Sequence, residues 1–285
     1  MSAERESFEQ YRPLLFSIAY RMLGSAMEAE DMVQEAYLRF QATAPDLIQS
    51  TKPFLTTVVT RLCLDQLKSA RAQRETYIGP WLPEPVLTEG ESPAAHLSRL
   101  ESISMAFLVL LESLSPLERA VFLLREVFDY DYRDIARIVE REEAACRQLY
   151  SRARKHVQDQ RPRFEPSPDV HQQIMHKFMQ AIEAGEVDGL VHLLAENVTW
   201  TSDGGGKIAA AVRPLVGREK VVQFILGLIR LRPAGTTVEI AQVNGQAALV
   251  TRVEGKVTVV ITAETDGAQV TTIRAIANPD KLAHL

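Results

Sequence analysis

The sequence predicts a multidomain chain in which two all-α domains are followed by an α+β domain. Three observations lead there. Apolar residues recur at spacings of three and four up to about residue 160. Two proline-rich breaks, at 77–93 and 162–168, interrupt that helical pattern. Towards the end of the chain the pattern becomes short alternating runs joined by tight-turn dipeptides. At 285 residues the chain suits two or three small domains, and 46% hydrophobic residues suffice for their cores.

The first domain, 1–76, opens with Tyr11, Leu14, Leu15, Ile18 and Met22 on one helical face, stopped at Gly24. Ser25 and Glu28 are spaced as a capping box for a second helix reaching about Gln41. Thr43 to Asp46 reads as a turn, and Pro53 sits early in a third helix ending near Arg74. The linker at 77–93 holds Pro80, Pro83, Pro85, Pro93, Gly79 and Gly90, and is expected to be extended. Trp81 and Leu82 are out of place in a solvated linker and are expected to dock on something.

The second domain, 94–161, is expected to hold helices at 94–114, 116–127, 132–139 and 143–159. Ser115-Pro116-Leu117-Glu118 is a second capping box. The last domain, 169–285, shows helical periodicity at 170–184, 187–194 and 217–231. Strand-like runs follow at 237–243, 247–254, 256–264 and 269–277. Asn244-Gly245, Glu254-Gly255 and Asp266-Gly267 join them, which predicts an antiparallel meander.

Composition excludes several classes. Runs such as 107–111 and 257–261 are far too short to span a bilayer, so no membrane role is expected. The polar, acidic first ten residues do not read as a signal peptide. Cys63 and Cys146 are far apart and form no CxxC pair, which argues against a disulfide framework or metal site and fits a reducing cytoplasm. The net charge of −5, taken alone, argues against a nucleic-acid binder, because phosphate contacts need Lys and Arg. Its distribution says more: Arg147, Arg152, Arg154, Lys155, Arg161 and Arg163 stand close together, with Asp159 the one acid among them. Acids gather at 28–35 and 84–91. A basic stripe on an acidic chain suggests two partners, one a polyanion and one a basic protein surface.

Residues 132–139, a turn, and 144–157 have helix-turn-helix proportions. Ile135, Ala136 and Val139 would pack against Cys146 and Leu149, leaving Arg147, Gln148, Arg152 and Lys155 outward. Arg and Gln can reach base edges, and Arg and Lys can hold phosphates. Glu140 occupies the turn where Gly is common. By spacing alone, an ordinary helical hairpin with a solvated basic face fits as well. Asp31, Gln34 and Glu35 share one helical face; it fits either docking on a basic protein or plain solvation.

Motif resemblance separates these alternatives. Glu30-Asp31-Met-Val-Gln34-Glu35-Ala-Tyr-Leu-Arg39 resembles the core-polymerase-binding helix of sigma-70 family proteins. Residues 51–68 resemble the promoter-melting helix of their extracytoplasmic-function group. Residues 114–128 and the helix-turn-helix ending Ser151-Arg-Ala-Arg154 resemble the domain that reads the upstream promoter element. The resemblance covers about residues 8–160, in the family's order. It implies that Asp31, Gln34 and Glu35 contact the β′ clamp of RNA polymerase core, with the β flap as a second partner. It implies minus-10 DNA contacts by Phe54, Arg61, Lys68, Arg71 and Arg74. It implies minus-35 contacts by Arg147, Gln148, Arg152, Arg154 and Lys155.

The remainder is similar to the SnoaL-like, nuclear-transport-factor-2-like cone fold fused to one subgroup of these sigma factors. Trp81-Leu82-Pro83-Glu84-Pro85, Asp203-Gly-Gly-Gly-Lys207 and Asn278-Pro279-Asp280-Lys281-Leu282 resemble that subgroup's motifs. The resemblance implies an extension that regulates in cis through contacts among those residues. Relatives of the cone fold include enzymes and ligand binders, which makes His192, Trp200, Asp203, Lys207, Arg252 and Arg274 candidates for chemistry and leaves a small ligand open. Asp203 before three glycines reads better as a loop, so neither an enzyme nor a cofactor is expected. The competing reading is a one-component, ligand-sensing DNA-binding regulator, for which an acidic polymerase-docking face would have no use.

Overall fold

The computed structural model describes residues 7–88, 103–160 and 167–285, with the backbone alone at 70–75. Pro93, residues 94–102 of the helix expected at 94–114, Arg161, Arg163 and most of the second linker lie outside the described residues; Ile103 and Ser104 are described and not helical, so the expected helix is shorter there and runs Met105–Glu112. Two compact units emerge: Met1–Glu75 with Phe107–Arg161, and Thr76–Ala106 with Pro162–Leu285. The first linker thus belongs with the C-terminal unit.

The helical unit contains α1 (Arg12–Leu23), α2 (Ala26–Ala42), α3 (Thr51–Glu75), α4 (Met105–Glu112), α5 (Pro116–Phe122), α6 (Tyr132–Val139) and α7 (Glu143–Gln160). A 3-10 turn, Pro45–Leu47, precedes α3, and a π turn, Leu123–Val127, extends α5. Gly24 closes α1 in the left-handed conformation, its N–H donating to the Tyr20 carbonyl. Leu15, Ile18 and Met22 of α1 are buried with Ala29 and Val33 of α2 and Leu55, Val59 and Cys63 of α3. The expected capping box at Ser25 forms only in part. Ser25 Oγ accepts from the Glu28 N–H, but the Glu28 carboxylate accepts from Gln66 Nε2 of α3 at 3.0 Å. A side chain that can reach a tertiary partner is not held to a local one. The box at Ser115 and Glu118 is complete.

The C-terminal unit contains α8 (Pro168–Ala184), α9 (Val187–Leu193), β1 (Leu194–Asp203), β2 (Leu215–Val216), α10 (Arg218–Arg230), β3 (Thr236–Val243), β4 (Gln246–Val253), β5 (Lys256–Thr265), β6 (Val270–Ile276) and α11 (Pro279–Leu282). The sheet order is β2-β1-β6-β5-β4-β3. The β3–β6 meander matches the sequence expectation. Strands β1 and β2 were not expected, and β1 runs parallel to β6, so the sheet is mixed. β1 follows α9 with no turn dipeptide to announce it, and a register shift between Leu194 and Thr199 interrupts its pairing. Asn244-Gly245 and Glu254-Gly255 take positive φ at both positions, the geometry of two-residue hairpins.

Ile174, Met175 and Phe178 of α8 and Val221 and Ile225 of α10 share one core with Trp200, Leu249, Ala263 and Ile273 of the sheet. Trp200 meets Phe224 edge-on at 5.5 Å.

The free edge of β3 is partly covered by the linker. Leu87 bridges antiparallel to Val243. Thr88 N–H donates to the Gln242 carbonyl at 2.9 Å, and Asn244 N–H to the Val86 carbonyl at 2.8 Å. Asn244 Oδ1 also accepts from the Val86 N–H at 3.1 Å. The linker thereby extends the sheet by a short strand, satisfying edge groups that would otherwise invite foreign pairing. Asn244→Gly should keep the turn yet speed amide exchange at Val86. Asn244→Ala should do the same and also lower stability by about 1 kcal/mol, because alanine tolerates positive φ poorly. Residue-resolved hydrogen exchange and a denaturant melt check both; unchanged exchange at Val86 in both variants would refute the side-chain tether.

Candidate functional site

In the C-terminal unit three sequence motifs meet at one buried carboxylate. Asp203 ends β1 and is fully buried. It accepts four hydrogen bonds: from Tyr77 Oη at 2.5 Å, Leu82 N–H at 2.8 Å, Gly205 N–H at 3.1 Å and Lys281 Nζ at 2.8 Å. Lys281, on the short α11, also donates to the Leu82 carbonyl. Its ammonium lies 3.9 Å from the Trp81 ring centroid and 5.2 Å from that of Tyr77, a cation–π arrangement on two sides. Burial and the neighbouring carboxylate push the Tyr77 hydroxyl well above the ordinary tyrosine range, so it stays a donor.

Asn278 caps α11 by accepting from the Asp280 N–H at 3.1 Å, and its Nδ2 donates to Tyr77 Oη at 2.9 Å. Lys207 pairs with Asp280 at 2.6 Å on the exposed rim. His284 Nε2 lies 2.9 Å from the Pro85 carbonyl. Leu82 and Pro83 are buried, Trp81 is half-buried, and Pro279 is exposed. The glycines have a steric reason: a Cβ on Gly205 would collide with the Asn278 amide, and one on Gly204 with the Ile208 carbonyl. Tyr77 and His284 are members that sequence reasoning missed. Tyr77 adjoins the Trp-Leu-Pro motif, which was the available signal.

In the helical unit the other expected residues fall on three surfaces. On α2, Asp31 and Gln34 are exposed, and Glu35 pairs with Arg39 at 2.9 Å. Met27 and Leu38 continue that face at 51% and 59% exposure, giving it an apolar component that charge patterning did not reveal. Glu30 turns instead to Arg12 at 2.6 Å.

On α3, Phe54 is half-buried with its ring 6.4 Å from Phe40, and Lys68 is exposed beside Asp65. Arg61 is turned to the end of α6. Arg71 and Arg74 lie on the same helix; their side chains are outside the described residues. On α7, Arg147, Gln148, Arg152, Arg154 and Lys155 are exposed, opposite buried Cys146, Ala153 and Val157. Ile138 is buried where Ala136 was expected, and Leu149 is half-buried. The Arg147 guanidinium lies 4.3 Å from the Tyr132 ring centroid and 3.3 Å from Glu143, and Arg152 lies 3.3 Å from Glu118.

Family models match in the same order: Sigma-70 region 2 at 7–73, Sigma-70 region 4 at 104–157 and a SnoaL-like domain at 175–277. A relative from Mycobacterium tuberculosis, the ECF RNA polymerase sigma factor SigJ, is 42% identical, covering 98% of this chain and 93% of that one. The chain belongs to the ECF sigma factors. A second relative of that organism, the probable ECF RNA polymerase sigma factor SigI, is 31% identical across 97% of this chain and 93% of that one. The crystal structure of M. tuberculosis SigJ matches with a TM-score of 0.79, 37% identity and 98% coverage of both chains. No described helix is long and apolar enough to cross a membrane.

As in any ECF sigma factor, the partners are RNA polymerase and promoter DNA. The residues considered for chemistry are otherwise placed. His192 is exposed. Trp200 donates to Ser202 Oγ at 2.6 Å, Asp203 and Lys207 make the pairs described above, Arg252 pairs with Glu239, and Arg274 with Glu264. Among the described residues, no cluster of three His, Cys, Asp or Glu could hold a metal.

Removing one member of a buried ion pair leaves the other uncompensated. Lys281→Met is therefore expected to destabilise the C-terminal unit by about 3–5 kcal/mol, and Asp203→Asn combined with Lys281→Met by less. Calorimetry on the full chain, with exchange at the Leu82 amide as the local reading, checks this. Equal losses would contradict a charge-paired cluster.

Proposed function

We propose that this ECF sigma factor binds core polymerase through α2, places α3 on the melted minus-10 strands and presents α7 to the minus-35 element. In this reading the C-terminal unit regulates it in cis through the linker. The observation that carries the reading is the coincidence of near-full-length family similarity with an exposed basic face on α7. Asp31, Gln34 and Glu35, flanked by Met27 and Leu38, suit a β′ clamp surface: apolar contacts supply burial and the acids supply orientation. The β flap is the corresponding partner for the second helical segment. Arg147, Gln148, Arg152, Arg154 and Lys155 face promoter DNA, where Arg147 stacked on Tyr132 is held ready for a base edge. Phe178, Trp200 and Phe224 pack together in the core between α8, α10 and the sheet, which favours an intramolecular role for the extension over small-ligand sensing or catalysis. Run-off transcription with purified core polymerase and a promoter library tests the whole; a chain that binds promoter DNA but never starts transcription would instead be a one-component regulator.

Asp31→Ala with Glu35→Ala should weaken core binding while leaving the melting temperature within about 1 °C, because exposed substitutions perturb stability little; undiminished affinity would remove α2 from the interface. Arg147→Ala should lose discrimination at one minus-35 position by about 1–3 kcal/mol. Lys155→Ala should weaken all sequences alike and reduce the salt slope by about one. Binding to a panel of promoter variants across salt concentrations separates the two, and identical profiles would mean that α7 is oriented otherwise.

A further inference from the structure

Asparagine followed by glycine is the dipeptide most prone to spontaneous deamidation, because glycine has no side chain to keep its nitrogen from the asparagine carboxamide. The chain has three asparagines, Asn197, Asn244 and Asn278. Val198 follows the first, and its branched side chain crowds that approach. Pro279 follows the last and has no N–H to lose. Asn244 alone precedes glycine, and it does so in the turn that pins the linker.

The linker holds both groups that would react. Asn244 is 3% exposed. Its main-chain N–H donates to the Val86 carbonyl at 2.8 Å, and its Oδ1 accepts from the Val86 N–H at 3.1 Å. The Gly245 N–H, on the nitrogen that would attack, donates to Thr88 Oγ1 at 3.2 Å. Thr88 is itself anchored, donating to the Gln242 carbonyl from Oγ1 at 3.1 Å and from its N–H at 2.9 Å. Asn244 and Gly245 take φ of 54° and 73°, which closes the hairpin on these two residues. Ring closure needs the Gly245 nitrogen released from its acceptor and the Asn244 carboxamide rotated onto it. With the linker in place neither movement is available.

We propose that Asn244-Gly245 is a self-modification site that the docked linker keeps unreactive and whose reaction undocks the linker permanently. When residues 86–88 open locally, the Gly245 nitrogen gives up its proton to solvent and attacks Asn244 Cγ. The new C–N bond closes a five-membered imide, the Cγ–Nδ2 bond breaks, and Nδ2 leaves as ammonia after taking a proton from water. A second water opens the imide. Cleavage at Cγ gives aspartate, and cleavage at the main-chain carbonyl carbon gives isoaspartate. No oxidant or reductant takes part. Aspartate keeps an oxygen where the Val86 N–H needs one. Isoaspartate adds a carbon to the main chain of a two-residue turn, which displaces both groups that meet Val86. The reaction depends neither on promoter binding nor on the regulatory role proposed for the linker.

The test ages the full chain under mildly acidic and mildly alkaline conditions. Peptide mapping by mass spectrometry reads the mass gain at Asn244, and fragmentation that separates the two products locates isoaspartate. The same chain in guanidinium chloride gives the unprotected rate. Folded wild type should react roughly tenfold or more slowly than the unfolded chain, because reaction through an opened state follows the open population. Thr88→Val keeps the strand shape but removes the acceptor, and should react roughly fivefold faster than wild type, the worth of one hydrogen bond. Thr88→Ser restores the hydroxyl and should return the wild-type rate. Alkaline conditions should speed every form, since the attacking nitrogen must be deprotonated. Hydrogen exchange at Val86 should be fast in the isoaspartate form, isolated by ion exchange, and slow in Asn244→Asp.

Equal rates for folded and unfolded wild type, or for Thr88→Val and Thr88→Ser, would overturn protection by the linker. Slow exchange at Val86 in the isoaspartate form would overturn the permanent undocking. Absence of deamidation at Asn244 in the unfolded chain would remove the site itself.

Discussion

A carboxylate buried without compensation would ionise only at great expense, and Asp203 is compensated from three directions. The linker supplies the Leu82 N–H and the Tyr77 hydroxyl, the following loop supplies the Gly205 N–H, and α11 supplies the Lys281 ammonium. Most of the C-terminal unit's outer organisation follows from meeting these demands together. Leu82 must present its N–H to Asp203 and its carbonyl to Lys281, which fixes the linker's path. Once that path is set, Val86 to Thr88 lie along the end of β3. The loop after Asp203 is crowded at each glycine, Gly204 by the Ile208 carbonyl, Gly205 by the Asn278 amide and Gly206 by the Ile78 side chain, which leaves no room for a Cβ. A cluster so fully hydrogen-bonded tolerates little variation, because each partner removed leaves another buried group unsatisfied.

How much of this was legible in the sequence depended on the kind of signal. The helices were readable because amphipathic spacing, Gly24 and the Ser115 box are local features. The β3–β6 meander was readable because Asn-Gly and Glu-Gly dictate their own turns. β1 carries no such punctuation, and its parallel pairing with β6 is a long-range choice that no local residue encodes. The same division holds for the candidate site. The three linker and extension motifs stood out as unusual short strings, yet only the fold shows that they share Asp203. Arg61 looked like one more cation on a basic helix; its engagement with α6 depends on a carbonyl array that exists only after folding. Met27 and Leu38 were passed over because the acids between them dominated the pattern.

Charge in the helical unit is arranged by accessibility. Arg119 is almost wholly buried and donates from Nη1 to a carbonyl and a carboxylate, so it serves packing. The cations of α7 remain at the surface, and two of them have an acidic partner, Arg147 with Glu143 one turn away and Arg152 with Glu118 of α5. Such neighbours orient a guanidinium while leaving its other donors usable. A net acidic chain can in this way keep one positive face without coating itself in non-specific nucleic acid.

The pairing of the linker with β3 also has a consequence in time. Residues 77–88 are made well before the strands and the short helix that hold them. At the usual pace of synthesis, roughly 5–20 residues per second, the last helical segment, ending at Gln160, precedes Lys281 by about six to twenty-five seconds. During that interval the linker lacks a complete set of partners, because Asp203, the edge of β3 and Lys281 are made in that order. The nascent protein therefore passes through a stage in which its helical part is complete and its tether is still loose. Whatever restraint the last domain imposes begins only when the ribosome lets go of Lys281.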